Sequence, residues 1–293
     1  MQIVFIMKNT KTIITLTLLS LITLTTVPSC KKKANNSPIV DSDVSAANDN
    51  NIAEGHFNDA QNIADQSATG NLVFYSPTFN GDVKQNDEYE KSSCATITHD
   101  SLSNPKSITI DFGNTNCVCN DGKSRRGKIL VSYIGRYRDS ASVHTISFDN
   151  YFVDNNQLLG TKTVTNNGHN SNGKTTFTIH VDGQVIKANN GGTITWVSDR
   201  VRVWTQGEST LTFIDDEYSI TGSGSGTNSS GNSFTTLITS PLVRALACRW
   251  FKSGIITVTP SNKPVRTIDY GTGTCDANAT VTINGTAYPI ILN

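Results

Sequence analysis

The sequence predicts an all-β fold: one large antiparallel meander, an open curled sheet or a partly closed barrel, with one short N-terminal helix. Three observations predict it. From residue 72 onward, apolar residues recur with a period of two, the signature of half-buried strands. Asn-Gly and Asp-Gly pairs punctuate these runs at short intervals, and such pairs suit tight hairpins because both central residues of a type I′ turn need positive φ. No helical pattern alternates with the strands, which excludes a parallel α/β architecture. The composition agrees, because Thr, Val and Ile favour strands while Asn and Gly favour turns. The chain has 293 residues, 16% of them charged, and a formal net charge of zero. Nucleic acid selects strongly basic surfaces, so it is not an expected partner.

In chain order, the first element is the apolar, uncharged stretch 12–30, which follows Lys8 and Lys11 and ends in Val27-Pro28-Ser29-Cys30. Its length fits the apolar region of a signal peptide and falls short of the ~20 residues needed to span a bilayer. The ending resembles the lipobox of bacterial lipoproteins. The resemblance implies a cleaved signal peptide over 1–29, acylation of Cys30, and attachment to a membrane through the N-terminal lipid. Stable anchoring takes at least two acyl chains. Lys31, Lys32 and Lys33 follow without the acidic residues that resemble a surface-export signal. The expected location is therefore the outer membrane, on its periplasmic face.

Residues 30–51 read as a lipidated cysteine and a flexible tether, too polar to order themselves. Asp41 and Asp43 have EF-hand-like spacing, but Ser45 and Ala46 follow where a calcium loop needs a ligand and a glycine. The helix is expected over 52–68, with Ala53, Phe57, Ala60 and Ala64 forming a small-residue face that packs on the sheet. The β domain is expected over 69–293. Ile108, Ile110 and Phe112 share one strand face. So do Ile146, Phe148 and Phe152, and so do Thr175, Phe177, Ile179 and Val181. Turns are expected at Asn80-Gly81, Asp121-Gly122, Asn167-Gly168, Asn172-Gly173, Asp182-Gly183, Asn190-Gly191 and Asn284-Gly285. The Gly/Ser run 222–231 reads as a flexible hairpin tip.

Outside the cytoplasm the cysteines other than Cys30 can form disulfides. Cys248 with Cys275 is one expected pair. Cys94 with either Cys117 or Cys119 is the other, leaving one thiol over. Zinc is the rival, but Cys117 and Cys119 have one intervening residue where zinc knuckles use two to four, and no histidine lies close in sequence.

No motif for nucleophilic, acid–base or phosphate-loop chemistry is present, so no catalytic residue, cofactor or metal is expected. His144 falls on the Ile146 face and reads as a satisfied core histidine. Two stretches could bind ligand at the surface. Lys123, Arg125, Arg126 and Lys128 form a compact basic patch suited to phospholipid headgroups or an anionic glycan, or else a solvated strand end. Alternation also places Arg200, Arg202 and Trp204 on one face, suited to sugar or lipid, or to a structural cross-strand ladder.

The stretches 94–98, 107–113, 120–129, 147–151, 160–168 and 267–276 together resemble a group of Bacteroidetes outer-membrane lipoproteins. The resemblance implies a lipid anchor and one large β domain and carries no activity with it. The expectation is a lipid-anchored, non-enzymatic structural or binding module of the cell envelope, engaging a glycan or another envelope protein. The alternative is a periplasmic lipid-binding carrier with an apolar cavity between curled sheet and helix.

Overall fold

The structure, a computed structural model, describes residues 41–68, 94–210 and 214–292. The signal stretch, Cys30, residues 69–93 and the Asn80-Gly81 pair lie outside the described residues. The elements are α1 (Ser45–Ser67), β1 (Thr96–Asp100), β2 (Lys106–Asp111), β3 (Cys117–Val118), β4 (Ser124–Ile134), β5 (Val143–Val153), β6 (Asn156–His169) and β7 (Thr175–Ile186). They continue as β8 (Thr193–Gln206), β9 (Glu217–Thr227), β10 (Ser233–Ala245), β11 (Ser253–Pro260), β12 (Arg266–Thr272), β13 (Asn278–Ile283) and β14 (Thr286–Ile291).

The strands form one antiparallel sheet of 14 strands, in chain order throughout except that the short β3 pairs only with β4 and lies off the main path. β1 and β14 are its two ends and do not pair with each other, so the sheet is open rather than a closed barrel. It curls around α1, which lies against β2, β4 to β8 and β11. Buried residues occur all around this helix, from Ala46 to Ser67.

The period-two expectation holds for β2, where Ile108 and Ile110 are buried, and for β7, where Phe177, Ile179, Val181 and Val185 are buried. The tight hairpin β13–β14 turns at Asn284 (φ 50°) and Gly285 (φ 81°), as the positive-φ argument requires. Three other expectations need correction. Asn167-Gly168 lies inside β6, where the register shifts by a bulge between Asn166 and Gly168. Asp182-Gly183 sits in the middle of β7, not in a turn. Its glycine serves packing: a Cβ there would overlap the Phe57 ring of α1. The run 222–231 is mostly strand, and the tip is confined to the turn closed by the Asn228 N–H donating to the Asn232 carbonyl at 2.8 Å. In β9, Gly222, Gly224 and Gly226 lie opposite Arg200, Ser198 and Trp196 of β8. A Cβ at any of the three would run into a β8 backbone carbonyl, so these glycines let the two strands approach closely.

A bulge also reverses the face of Phe152. Gly127 (φ 80°) and Asn150 (φ 47°) lie where the β4–β5 register shifts, and a Cβ at Gly127 would overlap the Asn150 carbonyl. Beyond it Tyr151 and Val153 point inward, and Phe152 turns outward under the Arg126 guanidinium, 3.7 Å from its ring centre.

The helix starts at Ser45, inside the stretch expected to be tether. Its polar first turns are ordered by specific partners, not by apolar burial. Asp49 Oδ1 accepts from Lys187 Nζ at 3.0 Å, and Asp49 Oδ2 accepts from Ser229 N and Oγ at 2.7 Å each. Asn50 Oδ1 accepts from Trp196 Nε1 at 3.1 Å. Before the helix, Asp41 accepts from Arg266 Nη2 at 2.7 Å, and Asp43 pairs with Lys263 and accepts from Ser45 N at 2.8 Å. Both carboxyls are held below the usual carboxylate range, Asp41 mainly by its hydrogen bond from the Asp43 backbone and Asp43 mainly by Lys263.

Cys94 and Cys117 lie at disulfide distance with Cα atoms 5.6 Å apart, and so do Cys248 and Cys275 at 5.7 Å. Cys119 is the buried free thiol.

Candidate functional site

The concave side of the sheet is where chemistry is concentrated, because inward strand positions that face α1 carry ionisable and aromatic groups. The sequence places Arg200, Arg202 and Trp204 correctly on one face of β8, but that face is the inner one. They are 4%, 6% and 2% exposed, whereas Val201 on the other face is 44% exposed. The surface reading of this stretch is therefore corrected: the Val face meets solvent and the Arg/Trp face meets the helix. Arg200 Nη2 donates to Glu54 Oε2 at 3.0 Å. The Arg202 guanidinium lies 4.6 Å from the Phe177 ring centre and 4.5 Å from that of Tyr218, and it donates to the Tyr137 hydroxyl.

The basic patch is likewise divided by the alternation of β4. Lys123 and Arg125 are buried, while Arg126 and Lys128 are half-buried. Arg125 donates to both Asp121 oxygens at 2.8 and 2.6 Å and to Asp59 of α1 at 2.9 Å. Lys123 pairs with Asp59 at 3.3 Å. Burial pushes the Asp59 carboxyl up, but Arg125 and Lys123 override it and hold it below the usual range. On the outer side Lys128 pairs with Asp111 at 3.0 Å, and Arg126 donates to Asn116 and Asn155.

A cleft of about 590 Å³ opens beside the C-terminal half of α1. Its walls include Tyr133, Tyr137, His144, Trp204, Tyr218, Asp65 and Asp216. Tyr133 stacks on His144 with centroids 5.5 Å apart, and Tyr137 meets the same imidazole edge-on at 5.7 Å. Tyr137 also stacks on Phe177 at 5.2 Å. Trp204 Nε1 donates to Asp216 Oδ1 at 3.2 Å, with the Arg138 guanidinium 4.6 Å from the Trp204 ring centre. Burial raises Asp65, pushes Asp216 up to about 6, raises the Tyr137 and Tyr218 hydroxyls and lowers His144. His144 is not a satisfied core histidine: its buried Nε2 has no hydrogen-bond partner among the described residues. At neutral pH the cleft offers neutral imidazole and phenol groups and two perturbed carboxyls on aromatic walls.

Sequence reasoning missed Asp65, Tyr137, Asp216 and Tyr218. Asp65 stood in the predicted helix one position from its apolar face. Asp216 stands in the acidic run Asp215-Asp216-Glu217, which carries no motif. Only the curl of the sheet brings them to one cleft.

A second cleft, of about 480 Å³, lies over the Asn-rich side of α1 and is bordered by the segment 246–251 and the C-terminal residues 290–292. Among the described residues no group of three or more His, Cys, Asp or Glu side chains could hold a metal ion. No family model matches the chain, and neither a curated protein nor a solved structure matches it.

Proposed function

We propose that the protein is a lipid-anchored, non-enzymatic binding module of the cell envelope and that the aromatic cleft takes a glycan. The observation that carries this reading is the set Tyr133, Tyr137, His144 and Trp204 in one cleft with Asp65 and Asp216. Ring faces stack against the apolar faces of sugar rings, while carboxyl, phenol and imidazole groups match their hydroxyls. The anchor part of the reading rests on the stretch 12–30 and on Cys30. It is tested by fatty-acid labelling of the chain in cells with Cys30→Ala as the control.

The carrier alternative has less support. It would use the apolar part of the same cleft, Ile108, Val131, Ile146 and Val164, whereas nearer the middle of α1 the space between helix and sheet is filled by Phe57, whose ring lies 5.8 Å from both Phe148 and Trp196. Native mass spectrometry of the detergent-solubilised full chain, with envelope glycan fragments and with envelope lipid extract, separates the two readings. A stoichiometric glycan adduct, weakened by Tyr133→Ala and by His144→Ala, is the expected result. A stoichiometric lipid and no glycan adduct would overturn the proposal in favour of the carrier.

A further inference from the structure

The second cleft is lined by Lys123, Lys187, Arg244 and Arg249 against the carboxylates Asp59 and Asp121. Both carboxylates are occupied, Asp59 by Lys123 and Arg125 and Asp121 by Arg125. Lys187 is paired with Asp49. Arg249 is the exception: among the described residues no carboxylate pairs with its side chain, and its guanidinium sits 5.7 Å from the Trp250 ring centre. It is half-buried and lines the cleft, and its buried Nε has no hydrogen-bond partner among the described residues.

Asn51 and Asn58 of α1 line the same space, and the buried Asn51 Nδ2 has no hydrogen-bond partner among the described residues. Asn51 Oδ1 accepts from the Tyr270 hydroxyl at 2.6 Å, and Asn58 Oδ1 accepts from Lys162 Nζ at 2.9 Å. With both amide oxygens occupied by strand residues, the amide nitrogens are left without a hydrogen-bond partner on the strands. A guanidinium, two primary amides and an excess of cationic side chains call for an acceptor-rich, negatively charged ligand. Trp250, Phe251, Ile290 and Leu292 give the cleft an apolar border, beside which a charge pair is stronger than in open water.

We infer that this cleft is an oxyanion-binding site, in which Arg249 and the α1 asparagines hold a phosphate or carboxylate group. The group could belong to a phospholipid headgroup or to an acidic glycan, and the chemistry is shared. The inference stands independently of the glycan reading of the aromatic cleft.

The three tryptophans make the test selective. Trp196 Nε1 is bonded to Asn50, Trp204 Nε1 to Asp216, and Trp250 Nε1 has no partner among the described residues. Indole N–H resonances of the ¹⁵N-Trp-labelled full chain in zwitterionic micelles would be followed while titrating inorganic phosphate, glucuronate and short-chain phosphatidylglycerol, with chloride at matched ionic strength as control. The expected result is a saturable shift of the Trp250 resonance with at least one of the three anions, its affinity lowered at least about tenfold by Arg249→Gln. The tighter ligand identifies the source of the group. Unmoved Trp196 and Trp204 resonances verify that the variant is folded. Should R249Q disturb them, Arg249→Lys, which keeps the charge and loses the planar fork, takes its place with a smaller expected weakening. No Trp250 shift, a shift that chloride reproduces, or one that neither Arg249 variant weakens would overturn the inference. A shift at Trp204 reports the aromatic cleft, so the two readings fail separately.

Discussion

Arg200 of β8 and Glu54 of α1 form an ion pair at 3.0 Å in which the side chains are 3% and 5% exposed. This is the only side-chain hydrogen bond of the Arg200 guanidinium among the described residues, because its Nε and Nη1 are buried without partners. Breaking a buried pair by removing one partner leaves an uncompensated charge and destabilises by about 3–5 kcal/mol. Glu54→Ala is therefore expected to lower the unfolding free energy of the full chain by about that amount in urea titrations. The double variant Glu54→Met/Arg200→Met is expected to recover most of the loss. A single variant of native stability would show that the pair does not hold the helix in the sheet.

Gly183 answers to one ring and one carbonyl, those of Phe57 and Leu159. It sits mid-strand in β7, opposite Gly160 of β6, and a Cβ there would run into Phe57. Gly183→Ala is expected to destabilise by about 1–3 kcal/mol through overpacking. In a Phe57→Leu background the same change should be milder, giving a measurable coupling between the sites. Additive effects would assign the cost to the Leu159 carbonyl, 2.8 Å from the Cβ position, and not to the Phe57 ring.

These two positions also mark what the sequence could and could not disclose. Period-two patterning identified β2, β7 and the closing hairpin, because those strands have one buried and one solvated face. The same alternation put Arg200, Arg202 and Trp204 together but could not say which face was inside. Polar residues in and before α1 are stabilised by partners far away in sequence, such as Lys187 for Asp49 and Arg266 for Asp41. Asp182-Gly183 read as a turn because its chemistry is that of a turn, and the close approach of the Phe57 ring and the Leu159 carbonyl explains the glycine. The basic patch was legible as composition, while its division between Arg125 inside and Arg126 outside follows from alternation along β4.

The pairing of cysteines is open to direct mapping. Alkylation of the denatured, unreduced chain should label Cys119 and leave Cys94, Cys117, Cys248 and Cys275 unlabelled until reduction. Cys248→Ser/Cys275→Ser opens a loop with a sequence separation of 27 and is expected to lower stability by about 3–4 kcal/mol in the chain-entropy model. Labelling at all five positions before reduction would rule out both bridges.

Lys162 supplies a pH dependence with a definite sign. Its ammonium is buried beneath α1, donating to the Phe57 carbonyl at 3.3 Å and to Asn58 Oδ1, and it has no carboxylate partner among the described residues. Burial, with the Arg202 charge nearby, lowers its pKa from 10.5 to about 7. Between those values the unfolded chain binds more protons than the folded one, so stability rises with pH. Lys123, also lowered by burial, acts in the same direction. Above about pH 9 the raised Cys119 thiol and buried tyrosines reverse the trend, because the unfolded chain releases those protons first. Urea titrations from pH 7 to 9 should therefore show stability climbing by on the order of 1 kcal/mol per pH unit for each such proton. Lys162→Met should flatten the climb and stabilise the chain at pH 7, since it removes a buried charge and keeps the apolar stem. An unchanged slope in that variant would assign the pH dependence to Lys123 and leave Lys162 charged in the folded protein.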